Sequence, residues 1–543
     1  MTWSNEAIAD EFDTLADLLE IQGANGFRVR AYRSGARTIR GWLQPLADRL
    51  ADPTFDPMSI EGIGEAMAEK LRSLVPSGAI PQLDELRASI PAGVLDLMRV
   101  PGVGAKKAAA LYGSLGIDSL DALESACREG RLRTLKGFSA KTESSILEGL
   151  AIARAANDRR LRAEVEERVE QLRKALAGPE IRRLEFAGSY RRGRETVGDL
   201  DIVAVAEDGG SAVMDRLAAF DAKAEILARG ETKMSVRLSP PFQVDLRIVP
   251  AESFGAALQY FTGSTAHNVR VRGEAKRRGL KVNEWGVFRI AEDGTETRIA
   301  GAEERDVYAA LDWPVIPPEL REDRFEFEDG RPLPVPDLIR LEQLRGDLHM
   351  HTTATDGTAS IDEMACAARE RGLDYIAITD HSRRVTMARG LDPERLAAQW
   401  RDVDELDRRW SGEFGFRILK GIECDILEDG ELDLPDELLE QADWVVASVH
   451  YGQQQSREQI TDRILRAVRN PTIDAIAHPT GRLLLRREAY EVDLESVMQA
   501  CVEYGKALEL NANPHRLDLD DVRCARCREL GIPVVIDSDA HTI

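Results

Sequence analysis

The sequence predicts a multidomain protein with an all-α N-terminal part, an α+β middle part and a C-terminal α/β barrel. Three observations predict it. Residues 1–160 carry apolar side chains at helical spacing, as in Ile8, Phe12, Leu15, Leu18 and Leu19. Residues 181–250 change to strand-like runs, LEFAGSY, DLDIVAVA, MSVRLS and FQVDLRIVP, with helical stretches between them. Beyond a stretch holding Pro314, Pro317, Pro318, Pro332, Pro334 and Pro336 among charges, short apolar strands alternate with helical segments. Those strands (YIAITD, RILKGIECDI, DWVVASVH, AIAHP, ALELNAN and PVVIDSD) gather polar residues at their C-terminal ends, where barrel enzymes place their chemistry.

Bulk properties narrow the class. The 543 residues set an expectation of three or four domains, and a composition of 43% hydrophobic and 31% charged residues supplies apolar material for several cores. No run approaches the roughly 18 apolar residues of a membrane helix. The N-terminal stretch MTWSNEAIADEFDTLADLLE carries acids where a secretory signal carries bases, so the expected location is the cytoplasm, with no membrane partner. Six cysteines in so long a chain make no disulfide framework. Cys524 and Cys527 stand at helical spacing and are read as packing residues.

The net charge of −23 argues at first against a nucleic-acid partner. Its distribution answers that objection: residues 341–543 carry −16, leaving −7 for residues 1–340. Bases cluster within the first part, at Arg182, Arg183, Arg191, Arg192 and Arg194, and again at Arg270, Arg272, Lys276, Arg277, Arg278 and Lys281. Local patches bind phosphates whatever the global sum.

The helical part contains a repeat. SIEGIGEAMAEKL (59–71) and RVPGVGAKKAAALY (99–112) share Gly-Ile/Val-Gly followed by a helix. The glycines, Gly62 and Gly64, then Gly102 and Gly104, allow a tight turn, and the next helix begins with free N–H groups at its positive end. That is a sequence-independent grip on DNA phosphates, with Lys106 and Lys107 behind the second turn. A third copy, TLKGFSAKTESSIL (134–147), has Ser139 in place of the second glycine. The repeats resemble the helix-hairpin-helix units of DNA-repair proteins. Residues 1–85 look like the small N-terminal domain of DNA polymerase beta, and Lys70 falls on that family's Schiff-base lysine, which removes 5′-deoxyribose phosphate. Arg28 and Ala66 depart from it, standing where polymerase beta carries lysines.

The segment GSYRRGRETVGDLDIVAVA (188–206) is the most specific. Alternate residues of a strand share a face, so Asp199 and Asp201 point together while Leu200 and Ile202 face a core. Asp245 alternates with Val244 and Leu246 in the same way. Three carboxylates on two neighbouring strands form a cage for two magnesium ions, which clamp the oxygens of a phosphoryl transfer. Gly188, Ser189 and Arg192 are read as the grip on a triphosphate. An isolated D-x-D is ordinarily a solvated strand face. Here G-S, the arginines, Gly198-Asp199-Leu200-Asp201 and a later aspartate arrive in order, and the whole resembles the polymerase beta-like nucleotidyltransferase superfamily. YFTGS (260–264) narrows the resemblance to family X DNA polymerases. It implies that Tyr260, Phe261 and Gly263 line the sugar pocket, and that Asn268 and Arg272 touch the minor groove and template beside the nucleotide. KVNEWGVF (281–288) matches the thumb, and Thr265 departs from the aspartate that polymerase beta carries there.

Seven of the eight histidines lie after residue 348. GDLHMHT supplies His349 and His351, Asp356 follows, ITDHS supplies His381, GIECD Glu423, ASVH His450, AHP His478, and DSDAH Asp539 and His541. Nitrogen and oxygen ligands without thiolate suit zinc, manganese or iron, and nine ligands serve about three metals at about three each. Glu509 and Asn511 are read as their support, and His515 as a solvated loop residue. The pattern resembles the PHP (polymerase and histidinol phosphatase) domain, whose fusion to a family X polymerase is the bacterial and archaeal arrangement. The resemblance implies a manganese- or zinc-dependent 3′–5′ exonuclease, in some relatives a 3′-phosphatase or abasic-site endonuclease. Family chains continue past the last D-x-H with a final helix, so the barrel is read as truncated at Ile543, with its closure in question.

The expected organisation is a lyase-like helix-hairpin-helix domain (1–85), a second such DNA-binding domain (86–160), a nucleotidyltransferase palm (161–250), a thumb and nucleotide-selection domain (251–318), a Pro-rich linker (319–343) and a PHP barrel (344–543). The expected function is gap-filling DNA polymerisation in base excision repair by a nucleoid-associated monomer. It uses dNTPs and gapped or primer-template DNA, and the same chain carries a nuclease. The alternative is a PHP nuclease whose polymerase half serves as a DNA-binding scaffold.

Overall fold

The computed structural model describes residues 5–543 apart from 41, 43–45, 53, 61, 99, 101–102, 156–158, 222–223, 239–241, 486 and 488. The chain divides into two compact units, one ending at Pro336 and one running from Asp337 to Ile543. Among the described residues no helix is long and apolar enough to cross a membrane.

In the first unit the N-terminal stretch is helical, as its apolar spacing requires. Ile8, Phe12, Leu15 and Leu18 lie on the inner face of the helix Asn5–Ile21, all essentially without exposure. Buried side chains from Ile8 to Leu150 form one continuous cluster, so both hairpin regions share a core.

A five-stranded sheet follows: β1 (Ile181–Phe186), β2 (Asp199–Ala206), β3 (Glu225–Arg229), β4 (Lys233–Leu238) and β5 (Phe242–Ile248), in the order β1-β2-β5-β4-β3. Only the β2–β5 pair is parallel, and it brings the carboxylate-bearing strands side by side. Leu200, Ile202 and Ala204 pack with Val165, Val169 and Leu172 of the helix Arg162–Leu176. Val203 and Val205 pack with Phe254 and Ala257 on the other side. The helices Phe254–Thr262 and Thr265–Arg277 lead to an antiparallel sheet of β6 (Leu280–Asn283), β7 (Gly286–Ile290) and β8 (Glu296–Ala300). Part of the Pro-rich stretch is folded: Phe327–Glu328 pairs with Arg331–Pro332, and Glu326 is 3% exposed.

The second unit is a parallel sheet of seven strands in sequence order: β9 (Gly346–Asp347), β10 (Tyr375–Ile378), β11 (Arg417–Asp425), β12 (Trp444–Ser448), β13 (Ala475–Ile476), β14 (Ala507–Asn511) and β15 (Val534–Asp537). A parallel bridge between Met350 and Ala540, with the His351 N–H donating to the Ala540 carbonyl at 2.8 Å, joins the two edges. The ring is therefore nearly closed. Cys527 is buried in its core and Cys524 packs against that core.

Candidate active sites

Gly188 holds φ at +63°, and a Cβ there would come within 2.6 Å of Asp201 Oδ2. Only glycine allows this turn to lie against the carboxylate. Asp201 stands directly across from Asp245 on β5, and Asp199 across from Gln243. Burial first, then the Asp199 and Asp245 charges, push the Asp201 carboxyl up to about 7. Asp199 is raised by burial and by Asp245. The Asp245 carboxylate accepts hydrogen bonds from the Ser235 hydroxyl and, at 2.7 Å, from the Gln243 amide.

A cleft of about 410 Å³ opens beside them. It is lined by Gly188, Ser189, Arg192, Asp199, Asp201, Tyr260, Phe261, Gly263, Asn268 and Arg272, ten of the residues singled out in the sequence. Asp245 and Gly198 lie outside its lining. Arg159, Arg194 and Thr265 complete it. Arg159, whose Nε donates to Thr196 Oγ1 at 2.7 Å, was hidden in a helical stretch with no motif around it. Arg192 is engaged: its Nε donates to Glu322 Oε1 at 2.7 Å and its Nη1 to the Thr262 carbonyl at 2.6 Å. Three carboxylates are an oxygen-only donor set that suits magnesium. Among the described residues, however, groups of donor atoms within 4.8 Å of one another are found at the histidine cluster and not here.

The helices Glu65–Ser77 and Ala105–Leu115 begin after Gly64 and Gly104, both extended, with no side chain capping either N-terminus. Gly62 has φ +85°. Their first N–H groups are thus left for an external acceptor. Gly102 lies outside the described residues. In the third copy the Ser139 hydroxyl accepts from the Thr142 N–H at 3.2 Å, taking a place that a phosphate would need. Lys106 is exposed, and Lys107 Nζ sits 5.8 Å from the Phe138 ring centre. Lys70 Nζ donates to the Ala66 carbonyl at 3.3 Å and lies 5.5 Å from the centre of the Tyr32 ring.

In the second unit all nine predicted ligands converge. His351, Asp356, His381 and His541 form one metal-sized group; His349, His351 and Asp539 a second; His381, Glu423 and His450 a third. His478 Nε2 joins at 3.0 Å from Glu423 Oε1. His381 Nδ1 lies 2.6 Å from Glu423 Oε2, yet neither atom has a hydrogen-bond partner; nor does the buried His349 Nε2. Buried polar atoms that face one another without hydrogen bonds suit cations shared between them. The residues fit a multinuclear metal site. Burial works against protonating His349, but Glu509, Asp539 and Glu423 outweigh it and raise its basicity well above the usual value. Glu423 would be raised by burial and is instead held well below its usual range by His450, His381 and His349.

The supporting shell is partly as expected. His349 Nδ1 donates to Glu509 Oε1 at 2.6 Å, and the Asn511 amide donates to Glu509 at 3.2 Å and Asp539 at 3.1 Å. Asp425, overlooked in the sequence, accepts from the His450 N–H at 3.0 Å and faces its Nδ1 at 3.2 Å. It stands two residues after Glu423, so strand alternation could have found it. Arg516 Nε lies 3.3 Å from Asp539 Oδ2, and no sequence signal marks it. His515 lies in a turn, half-buried, with its Nδ1 covered and its carbonyl accepting from the Leu484 N–H at 2.7 Å.

Residues 3–80 match a helix-hairpin-helix domain, 94–151 the SAM-like helix-hairpin-helix tandem, 257–322 the DNA polymerase beta thumb, and 347–513 the PHP domain. The chain is 38% identical over 540 residues to the DNA polymerase/3′-5′ exonuclease PolX of Bacillus subtilis (strain 168), covering 98% of this chain and 91% of that protein. Its C-terminal part is 32% identical over 206 residues to a probable phosphatase of Thermoanaerobacter sp. (strain X514), covering 36% of this chain and 78% of that one. A probable phosphatase of Acetivibrio thermocellus is 32% identical over 204 residues, with the same coverage.

Proposed function

Because this chain belongs to the family X DNA polymerases that carry helix-hairpin-helix and PHP domains, we propose that it adds dNMP to a primer 3′-OH across short gaps and removes nucleotides from 3′ ends at its histidine cluster. The observation that carries the polymerase half is the cleft in which Asp199, Asp201, Arg192, Tyr260, Phe261 and Gly263 meet. Asp199, Asp201 and Asp245 hold magnesium, which when bound neutralises and orients the reacting oxygens. Gly188, Ser189 and Arg192 grip the triphosphate, for which Arg192 exchanges Glu322 for phosphate oxygens. Tyr260, Phe261 and Gly263 border the sugar, while Asn268 and Arg272 reach the minor groove and template. The hairpins at Gly62–Gly64 and Gly102–Gly104, with Lys106 and Lys107, hold the DNA backbone, and Lys70 serves as the lyase amine.

In the PHP domain, His349, His351, Asp356, His381, Glu423, His450, His478, Asp539 and His541 hold about three manganese or zinc ions, which when bound activate water for phosphodiester cleavage. The likeness to probable phosphatases favours phosphate-bearing 3′ ends as a second substrate. The protein acts as a monomer on nucleoid DNA. A scaffold role for the polymerase half is disfavoured by its complete carboxylate set. The test is a gapped duplex with a labelled primer, with and without dNTPs, in magnesium and then manganese. Extension only with dNTPs and shortening only in manganese support the reading, and absence of dNTP-dependent extension overturns it.

A further inference from the structure

A chain of buried polar side chains runs from the start of the Pro-rich stretch to the nucleotide cleft. Glu326, His267, Tyr308, Gln259 and Asn268 are all 7% exposed or less. At one end, the Glu326 carboxylate accepts from the backbone N–H of Asp323 at 2.7 Å, Arg324 at 2.9 Å and Phe325 at 3.2 Å. His267 Nδ1 lies 3.2 Å from the same carboxylate, and His267 Nε2 lies 2.9 Å from the Tyr308 hydroxyl. The Gln259 amide faces that hydroxyl in turn. Gln259 Nε2 also donates to Asn268 Oδ1 at 2.8 Å, and Asn268 Nδ2 donates to the Tyr260 carbonyl at 2.7 Å.

Donor and acceptor roles along this chain are not free. A carboxylate that already receives three N–H groups can only accept, so the Nδ1 of His267 carries a hydrogen. Burial keeps that imidazole neutral against the pull of Glu326. Its Nε2 must then accept, so Tyr308 must donate to it, and the tyrosine oxygen is left to receive the NH₂ of Gln259. The second hydrogen of that NH₂ meets Asn268 Oδ1, which turns Asn268 Nδ2 toward Tyr260. An amide orientation is set by such a network and by nothing else in its own shape. The outcome matters at the cleft. One Asn268 N–H remains free to donate, and A·T and T·A pairs alike present acceptors in the minor groove. A flipped amide would offer an acceptor to an acceptor.

We infer that Glu326 is a positioning residue of the nucleotide pocket, which acts through His267, Tyr308 and Gln259 to fix the direction in which the Asn268 amide donates. The inference rests on the reading of Asn268 as a nucleotide-pocket residue. It gives the buried acid of an otherwise polar connecting segment a role in substrate recognition.

Glu326→Gln is the first test, because its NH₂ must oppose either His267 Nδ1 or the backbone N–H groups. Tyr308→Phe is the second, since it cuts the chain midway with little change of volume. Steady-state gap filling on the full chain should show KM for dNTP raised about fivefold to tenfold in both variants, the scale of one misdirected hydrogen bond. The value of kcat should stay within about twofold, the split expected when ground-state and transition-state binding weaken together. Combined with Asn268→Ala, neither change should raise KM beyond the single Asn268→Ala value. Thermal unfolding of each variant gives the contrasting readout. A fall in melting temperature with KM unmoved, or KM effects that multiply with Asn268→Ala, overturns the inference and leaves Glu326 a structural residue. An unchanged KM in Asn268→Ala alone overturns the reading of Asn268 instead.

Discussion

The Asp201 carboxylate lies under the Gly188 turn, two residues from Asp199 and directly across from Asp245. Burial, then the Asp199 and Asp245 charges, raise Asp201 to about 7 against the pull of Arg247 and Arg192. Asp201→Asn should therefore reduce dNMP incorporation by roughly a thousandfold or more, the scale of losing a charge-holding group at the reacting centre. Nuclease activity of the same preparation should persist; incorporation at the parental rate would remove the polymerase assignment. A stability effect follows with a defined sign. The folded value lies above the unfolded one, so the stabilisation is complete below the unfolded value of 3.8 and is lost as pH rises through about 7. In chelator, Asp201→Asn should unfold at a higher temperature than the parent at about pH 8.5, and the gap should shrink at about pH 6. A gap independent of pH would show that ionisation of Asp201 is not its source. Lys70 offers a separate residue-scale test, since its amine lies against Tyr32 after the first hairpin. Borohydride should trap a covalent complex with 5′-deoxyribose phosphate DNA, and equal trapping in Lys70→Ala would assign the reaction to another amine.

The helix Glu304–Ala309 begins with an acid that gathers two arginines from either side of it in sequence. Glu304 receives both ends of the Arg191 guanidinium at 2.8 Å and Arg321 Nη1 at 2.6 Å, with Arg321 fully buried. Burial alone would raise Glu304; the two arginines reverse that and lower it to about 2. Its stabilisation is then present above the unfolded value of 4.5 and is lost as pH falls toward about 2. Glu304→Gln leaves a buried guanidinium without its counter-charge and should cost roughly 3–5 kcal/mol near neutrality. Denaturant melts should show the difference narrowing between about pH 5 and about pH 3, and a constant difference would mean that packing, not charge, is lost. Elements of this kind mark the limit of what the sequence discloses. Period-two alternation made Asp199, Asp201 and Asp245 readable, because a strand face needs no tertiary information. Histidines at strand ends were readable for the same reason, and the hairpin glycines because a positive φ at Gly62 leaves few other residues. Glu304, Glu326 and Arg516 were not readable. Each is a charged residue whose role depends on partners distant in sequence, and in the chain alone each looks like solvated surface. The Pro-rich composition around Glu326 pointed to a linker, yet the first part of that stretch is folded by the polar network that Glu326 anchors.

At the scale of the molecule, the two chemistries are separated along the chain. The carboxylate cleft is built from residues before Pro336, and the nine-ligand cluster from residues after it. His349 is the sharpest probe of that separation. It is fully buried, it belongs to the group with His351 and Asp539, and its far nitrogen is held by Glu509. Substituting alanine removes a ligand and leaves Glu509 buried without its imidazole partner, so metal affinity should fall by about tenfold to a hundredfold or more. Metal analysis should find about three ions per chain in the parent and fewer in His349→Ala. The 3′–5′ nuclease activity in manganese should disappear with them. Gap filling in magnesium should survive, since its ligands are the oxygens of Asp199, Asp201 and Asp245 and none of them lies in the barrel. Degradation of 3′ ends at the parental rate would show that His349 holds no essential ion. Parallel loss of gap filling, in a variant whose first unit still melts at the parental temperature, would show that the two centres act as one.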